Sequence, residues 1–286
     1  THRQSSAASD VYKRQILTLL LYSSFVKSQV ILEDYALNKI IDETSGLEMV
    51  QNFFITHNDS GGEAALYYLS INGKIEKKRK IDLAKNKDWE DITRDKKYFY
   101  IADSGNNYNN RKDLKIYKVP IDETSDENTK IISFNYPEQK SFVLNRNTIY
   151  DGEGLISLDK NLLLFTKNRA SKITELYLIP KKEGNYNAKK IGQIDTKSIV
   201  TGADYDPKLK LLVLTSTVMF NEYYLNVFEN FSVKNIANIK LEQYEIPIGK
   251  TQVEAIKIID EKSFWITSED ESSSKSARLM KISIEN

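Results

Sequence analysis

The chain has no cysteine. Thiol nucleophiles, thiolate metal sites and disulfides are therefore excluded. Proline is scarce, at 5 residues, and only 2 histidines occur. No side of the charge ledger dominates, with 41 basic and 40 acidic residues. Arg3, Lys13, Arg14, Lys27 and Asp10 all precede residue 30, so the remainder carries about −2. That balance argues against a nucleic-acid partner, which calls for a basic stripe. After residue 26 no apolar run approaches the roughly 20 residues that cross a bilayer. No G-x-S-x-G elbow, phosphate-binding G-x-x-x-x-G-K-[ST] loop or H-E-x-x-H pair occurs.

Two segments stand apart at the start. Ser5–Gln15, SSAASDVYKRQ, matches the in-frame translation of a transposase sequencing adaptor, so residues 1–15 are read as a sequencing-adaptor artefact and His2 with them. Residues 16–29 hold the run ILTLLLYSSFV followed by Lys27-Ser28-Gln29. Its length suits the apolar region of a signal peptide, with cleavage near Ser28–Gln29. The expectation is an exported protein, periplasmic or extracellular, whose residues 30–286 form one domain.

What is abundant is aromatic and β-branched: Tyr reaches 17 and Phe 11. Such residues suit pleated, half-buried surfaces. Five segments open with a small or acidic residue and then an apolar one: Ser45-Gly46-Leu47, Glu90-Asp91-Ile92, Glu153-Gly154-Leu155, Gly202-Ala203-Asp204 and Glu254-Ala255-Ile256. Each is followed by a second strand, such as NFFITHND (52–59) or KYFYIADS (97–104), and by a third, such as ALYYLSI (65–71) or LKIYKVP (114–120). A period of about 40–50 residues with three or four strands is that of a propeller blade. The fold expected is all-β, a β-propeller with five blades of four antiparallel strands; six blades is the alternative. The last repeat ends without a fourth strand. Val30–Ile40 precedes the first repeat and is expected to supply that strand and close the ring, since an open ring leaves bare edges.

In such a ring the first strand of each blade lines the channel. Its opening residue and the turn between the second and third strands share one rim. That rim gathers Glu90, Glu153, Asp204 and Glu254 as candidate metal ligands. Crowded carboxylates must bind a cation, pair with Lys or Arg, or hold a proton. Oxygen ligands favour calcium or magnesium. The competing expectation is structural, with acids accepting backbone N–H groups of the next blade. Asn58, Asp59, Asn106, Lys167, Arg169, Glu269 and Asp270 fall around them as a ligand rim. His57 and Asp103 are the candidate general bases; ordinary turn chemistry also explains Asp59 and Asp103. Lys167 and Arg169 can hold a phosphate or carboxylate. Trp89 and Trp265 are expected to pack.

The order Ser-Gly-Leu (45–47), His-Asn-Asp-Ser-Gly (57–61), Trp-Glu-Asp-Ile (89–92), Asp-Gly-Glu-Gly (151–154), Thr-Gly-Ala-Asp (201–204) and Glu-Ala-Ile (254–256) resembles a group of bacterial exported propellers. That group is similar at a distance to phytase-like and gluconolactonase-like calcium propellers. The resemblance implies a divalent cation at the channel mouth and hydrolysis of a phosphoester or lactone. Those relatives usually have six blades; gluconolactonase-like sites mix one Glu with Asn and Asp, whereas here three Glu recur, and phytase-like sites carry many basic groups, whereas this face has few. Two functions therefore stand side by side. One is a calcium-dependent hydrolase. The other is a non-catalytic module binding a small-molecule or envelope ligand.

Overall fold

Short runs punctuated by turns, buried almost throughout in the inner strands and alternating in outer ones, favour pairing between strands close in sequence. A computed structural model describes residues 29–248, 251–269 and 276–284. Residues 1–28, which hold the expected adaptor and most of the expected signal segment, lie outside the described residues, as does Asp270. Strand β1 (Gln29–Ala36) comes first. Blade 1 holds β2 (Thr44–Val50), β3 (Phe53–Asn58), β4 (Ala65–Leu69) and β5 (Ile75–Lys80). Blade 2 holds β6 (Trp89–Arg94), β7 (Tyr98–Asp103), β8 (Lys115–Pro120) and β9 (Lys130–Asn135). Blade 3 holds β10 (Asp151–Leu158), β11 (Asn161–Lys167), β12 (Ile173–Pro180) and β14 (Lys189–Asp195); the short β13 (Gly184–Asn187) interrupts it. Blade 4 holds β15 (Ile199–Asp206), β16 (Leu211–Val218), β17 (Glu222–Phe228) and β18 (Glu242–Ile246). Blade 5 holds β19 (Val253–Ile258), β20 (Ser263–Ser268) and β21 (Arg278–Ile284).

The fourth strand of blade 5 is β1, antiparallel to β21 with Gln29 opposite Ile284 and Ala36 opposite Arg278. The strand stops at Ala36, before Ile40; Asn38 caps a short 3-10 turn over Lys39–Ile41 instead. Inner strands β2, β6, β10, β15 and β19 pack in that order and return to β2. The protein is thus a five-bladed β-propeller, and among the described residues it has no α-helix. No described helix is long and apolar enough to cross a membrane. The long step between the starts at 90 and 153 reflects the connector 136–150 and no extra blade. One element departs from the repeat. Strand β13 leaves blade 3 and pairs in parallel with β9, giving blade 2 a fifth strand.

Apolar cores lie between neighbouring blades. Between blades 1 and 2, Ile55 and Leu66 meet Ile101 and Tyr117. Between blades 5 and 1, Trp265 and Leu279 meet Phe54 and Leu69. Polar locks join the inner strands. The Ser45 hydroxyl donates to the Glu90 carbonyl at 2.6 Å, Ser104 to Gly152 at 2.8 Å, and Thr201 to Val253 at 2.7 Å. Asp91 does most: its carboxylate accepts from the backbone N–H of Ile92 (2.8 Å), Leu155 (2.7 Å) and Ala203 (3.3 Å). One side chain thereby bridges three blades. Asp91→Ala strands those buried donors, and each costs about 1–3 kcal/mol. A fall of about 3 kcal/mol or more in urea unfolding is expected; an unchanged midpoint would show that water replaces the carboxylate without loss.

Candidate functional site

Every inner strand carries a bulge at the same place. The register slips between Ser45 and Leu47, Trp89 and Asp91, Gly152 and Gly154, Val200 and Gly202, and Val253 and Ala255. The bulged residues are Gly46, Glu90, Glu153, Thr201 and Glu254. A bulge re-aims the extra side chain, and here it brings Glu90, Glu153 and Glu254 to the channel mouth. Asp204 does not join them. It lies beyond its bulge, opposite Val213, where it pairs with Lys257 (3.0 Å) and accepts from the Ile258 N–H (2.7 Å). Lys257 also pairs with Glu48 at 2.6 Å. Asp204 is therefore part of an ionic network deeper in the channel, and Thr201 holds the place the repeat gives to an acid.

Two acids not anticipated join the mouth. Oxygens of Asp59, Asp88 and Glu90 all lie within 4.8 Å of one another, and so do those of Glu90, Asp151 and Glu153. Glu90 belongs to both groups. Asp88-x-Glu90 and Asp151-x-Glu153 have the same spacing, and in blade 5 Gln252-x-Glu254 replaces the acid by an amide. That repeated Asp-x-Glu is the signal that locates Asp88 and Asp151.

The cations on the rim are already engaged. Lys167 pairs with Glu153 at 2.6 Å, and Arg169 with Asp151 at 2.9 Å. Arg111 pairs with Asp103 at 2.7 Å and stands 3.9 Å from Asp88. Asp103 is thus committed to an ion pair. His57 is fully buried, edge-on to Trp89 at 5.4 Å, with Nδ1 on the Asn58 carbonyl. Burial lowers its pKa to about 4, so the ring is neutral. Packed beneath the bulge at Gly46, where a Cβ would lie 2.8 Å from Nε2, it has no approach for a substrate. The general-base expectation does not suit either residue's surroundings. Asn58 bonds the Ile40 carbonyl, Asn106 donates to the Tyr150 carbonyl, and Glu269 accepts from Gln252 at 3.0 Å. These rim residues hold loops together.

Several carboxylate oxygens remain unmatched. Glu153 is fully buried and its Oε1 has no hydrogen-bond partner; neither has Asp59 Oδ1. Gly105 leaves the space between Asp88 and Glu90 clear, since a Cβ there would fall 2.3 Å and 2.1 Å from their oxygens. Burial, reinforced by neighbouring acids, pushes Asp59 up to about 9 and Asp88 to about 6. Glu153 rises to about 7, burial outweighing its Lys167 partner. Burial also raises Glu90 and Glu254 well above the carboxylate range. Burial opposes the charge on Lys167, but Glu153, Glu254, Asp151 and Glu90 around it keep it protonated. Clustered carboxylates with unmatched oxygens can hold a metal ion, and an all-oxygen donor set suits a hard cation.

A pH dependence follows. Without a cation, folded Asp59 keeps a proton up to about 9, whereas unfolded it ionises near 3.8. Glu153 behaves likewise between 4.5 and about 7. The unfolded chain binds fewer protons in this window, so stability falls as pH rises. Thermal midpoints in EDTA should drop steadily from pH 8 to pH 9, where His57 is neutral when folded and almost wholly so when unfolded. A flat or rising profile would mean these acids ionise freely in the folded protein.

No family model matches the sequence, and no curated protein matches it. Solved structures do. The chain is similar to the PQQ-bound aldose sugar dehydrogenase of Streptomyces coelicolor, with 12% identity and a TM-score of 0.51 over 90% of this chain and 98% of that one. It is similar too to an exo-β-1,3-galactanase from Phanerochaete chrysosporium, with 10% identity and a TM-score of 0.55, covering 88% of this chain and 63% of that one. At such identity the likeness establishes the fold, and fold does not set function.

Proposed function

We propose that the protein is an exported calcium-binding propeller that hydrolyses a lactone or phosphoester at its channel mouth. The observation that carries this reading is the Asp59–Asp88–Glu90 group, with an unpartnered oxygen on Asp59 and a gap kept clear by Gly105. This group is the better ion seat because Asp151 and Glu153 already face Arg169 and Lys167. A calcium ion there supplies Lewis-acid polarisation of a substrate oxygen. A neutral lactone fits better than a phosphoester, as Lys167, Arg169 and Arg111 are each neutralised by an acid. The reading accords with the resemblance to calcium-dependent exported propellers.

Calcium titrated into EDTA-stripped, dialysed protein tests it. Saturable heat with proton release is expected, because the ion displaces protons held by raised carboxyls. Turnover of simple aldonolactones by the loaded protein, lost in Glu90→Gln, supports the hydrolase. Calcium binding without turnover on any lactone or phosphoester assigns the site to a binding module. Absence of calcium heat removes both versions.

A further inference from the structure

Beside the mouth, two adjoining cavities of about 490 Å³ and 300 Å³ run over the outer top of blade 2. They share Lys112, Leu114, Phe134 and Asn135, so they form one groove. Its outer wall is made by β13, the strand that departs from the repeat. Because β13 pairs with β9 in register, Asn185 lies beside Ser133 and Asn187 beside Asn135. Side chains two apart share a sheet face. The four therefore present an amide and hydroxyl ladder on one face, and Lys115, opposite Ser133 on β8, extends it.

The charge on this groove is mostly positive. Lys112, Lys115 and Lys140 line it, and none makes an ion pair among the described residues. The one acid on its wall, Asp113, is taken by Lys87 at 2.9 Å and by Arg111 at 3.3 Å. Lys112 lies over the Phe142 ring at 4.8 Å, so an aromatic face flanks the cations. Asparagine amides offer paired donors and acceptors of the kind that match vicinal hydroxyls. Unpaired lysines attract carboxylates. An aromatic flank gives an apolar surface for a ring to rest on.

We infer that this groove binds an anionic oligosaccharide, a chain of uronic acid units, with hydroxyls on the Ser133–Asn135–Asn185–Asn187 ladder and carboxylates on Lys112, Lys115 and Lys140. The site is separate from the cation seat, with Arg111 between them, and does not depend on the ion. An acidic peptide is less suited: a peptide added to the β13 edge has no use for the amide ladder on the sheet face.

The test is titration of trigalacturonate and longer oligogalacturonates into the full chain, in EDTA so that the calcium reading plays no part. Saturable binding is expected, weakening as salt rises. The double variant Lys112→Ala/Lys140→Ala and the single variant Asn187→Ala should each weaken it by roughly tenfold. These side chains are exposed, and unchanged circular dichroism and melting confirm folding. Glu90→Gln should leave the binding unchanged, which separates the groove from the mouth. The inference is overturned if no oligogalacturonate binds or if the lysine and asparagine variants bind as well as the parent. It is also overturned if a neutral galacto-oligosaccharide or polyglutamate of similar length binds equally well.

Discussion

A variant lacking residues 29–40 should melt roughly 10–20 °C below the intact protein, with a broadened transition. The reason is topological. Strand β1 is the only covering of the β21 edge among the described residues, and it closes blade 5 from the opposite end of the chain. Its removal also exposes apolar contacts. Leu37 is buried and its N–H donates to the Ala277 carbonyl at 2.7 Å; Tyr35 stacks on Trp265 at 6.4 Å; Ile31 packs against the core between blades 4 and 5. Burial of such side chains contributes about 1.5–3 kcal/mol each when complete. Two or three partly buried ones give about 5 kcal/mol, or about 2–4 °C per kcal/mol for a chain of this size. The bare β21 edge adds an aggregation hazard that the intact ring lacks. Scanning calorimetry of both proteins measures this directly. A variant that melts like the parent would show that β1 is not the latch.

The second large effect changes sign with calcium. Glu90→Gln should raise the melting point in EDTA and erase the calcium response. In the cation-free protein Glu90 is a buried carboxyl crowded by Glu153, Asp59 and Asp88, each of which makes its charge less favourable. Glu90 therefore has to take up a proton to fold, and an amide of nearly the same shape is neutral without one, which removes that cost. With calcium, Glu90 is the acid common to both groups, so its loss removes a ligand from whichever one holds the ion. Gly105→Ala offers an independent route to the same end. Its Cβ would fall 2.1 Å from Glu90 Oε1, so the carboxylates must part. Calcium affinity should fall by tenfold or more, about 1.4 kcal/mol. Titration calorimetry of Gly105→Ala reads this, and unaltered affinity would mean that the ion, if bound, sits elsewhere.

The blades are legible because their inner strands are nearly continuous buried runs, bounded by turns, and pair with their neighbours in sequence. The latch strand is legible for the complementary reason that the last repeat lacks one. What escaped depends on registers that pattern alone does not fix. Strand β13 is only Gly-Asn-Tyr-Asn, too short and too polar to resemble a strand, and its partner is in another blade. Asp204 resembles the blade-opening acids in sequence, yet the bulge at Thr201 leaves it deeper in the channel. Asp88 and Asp151 were visible as a repeated Asp-x-Glu, but their convergence depends on bulges that sequence does not announce. His57 resembles a rim residue, yet strand β3 is covered on both faces, which buries the ring.

The central claim is that the acidic mouth is a cation seat and not merely a structural lock. Thermal midpoints at pH 8, in EDTA and with calcium about a hundredfold above its Kd, address it most directly in the parent and in Glu90→Gln. Selective binding to the folded state at that ratio stabilises by about 2.7 kcal/mol, a rise of roughly 5–10 °C. The account predicts that rise in the parent and none in Glu90→Gln. A parent midpoint indifferent to calcium, or a Glu90→Gln variant that responds as strongly, would contradict it.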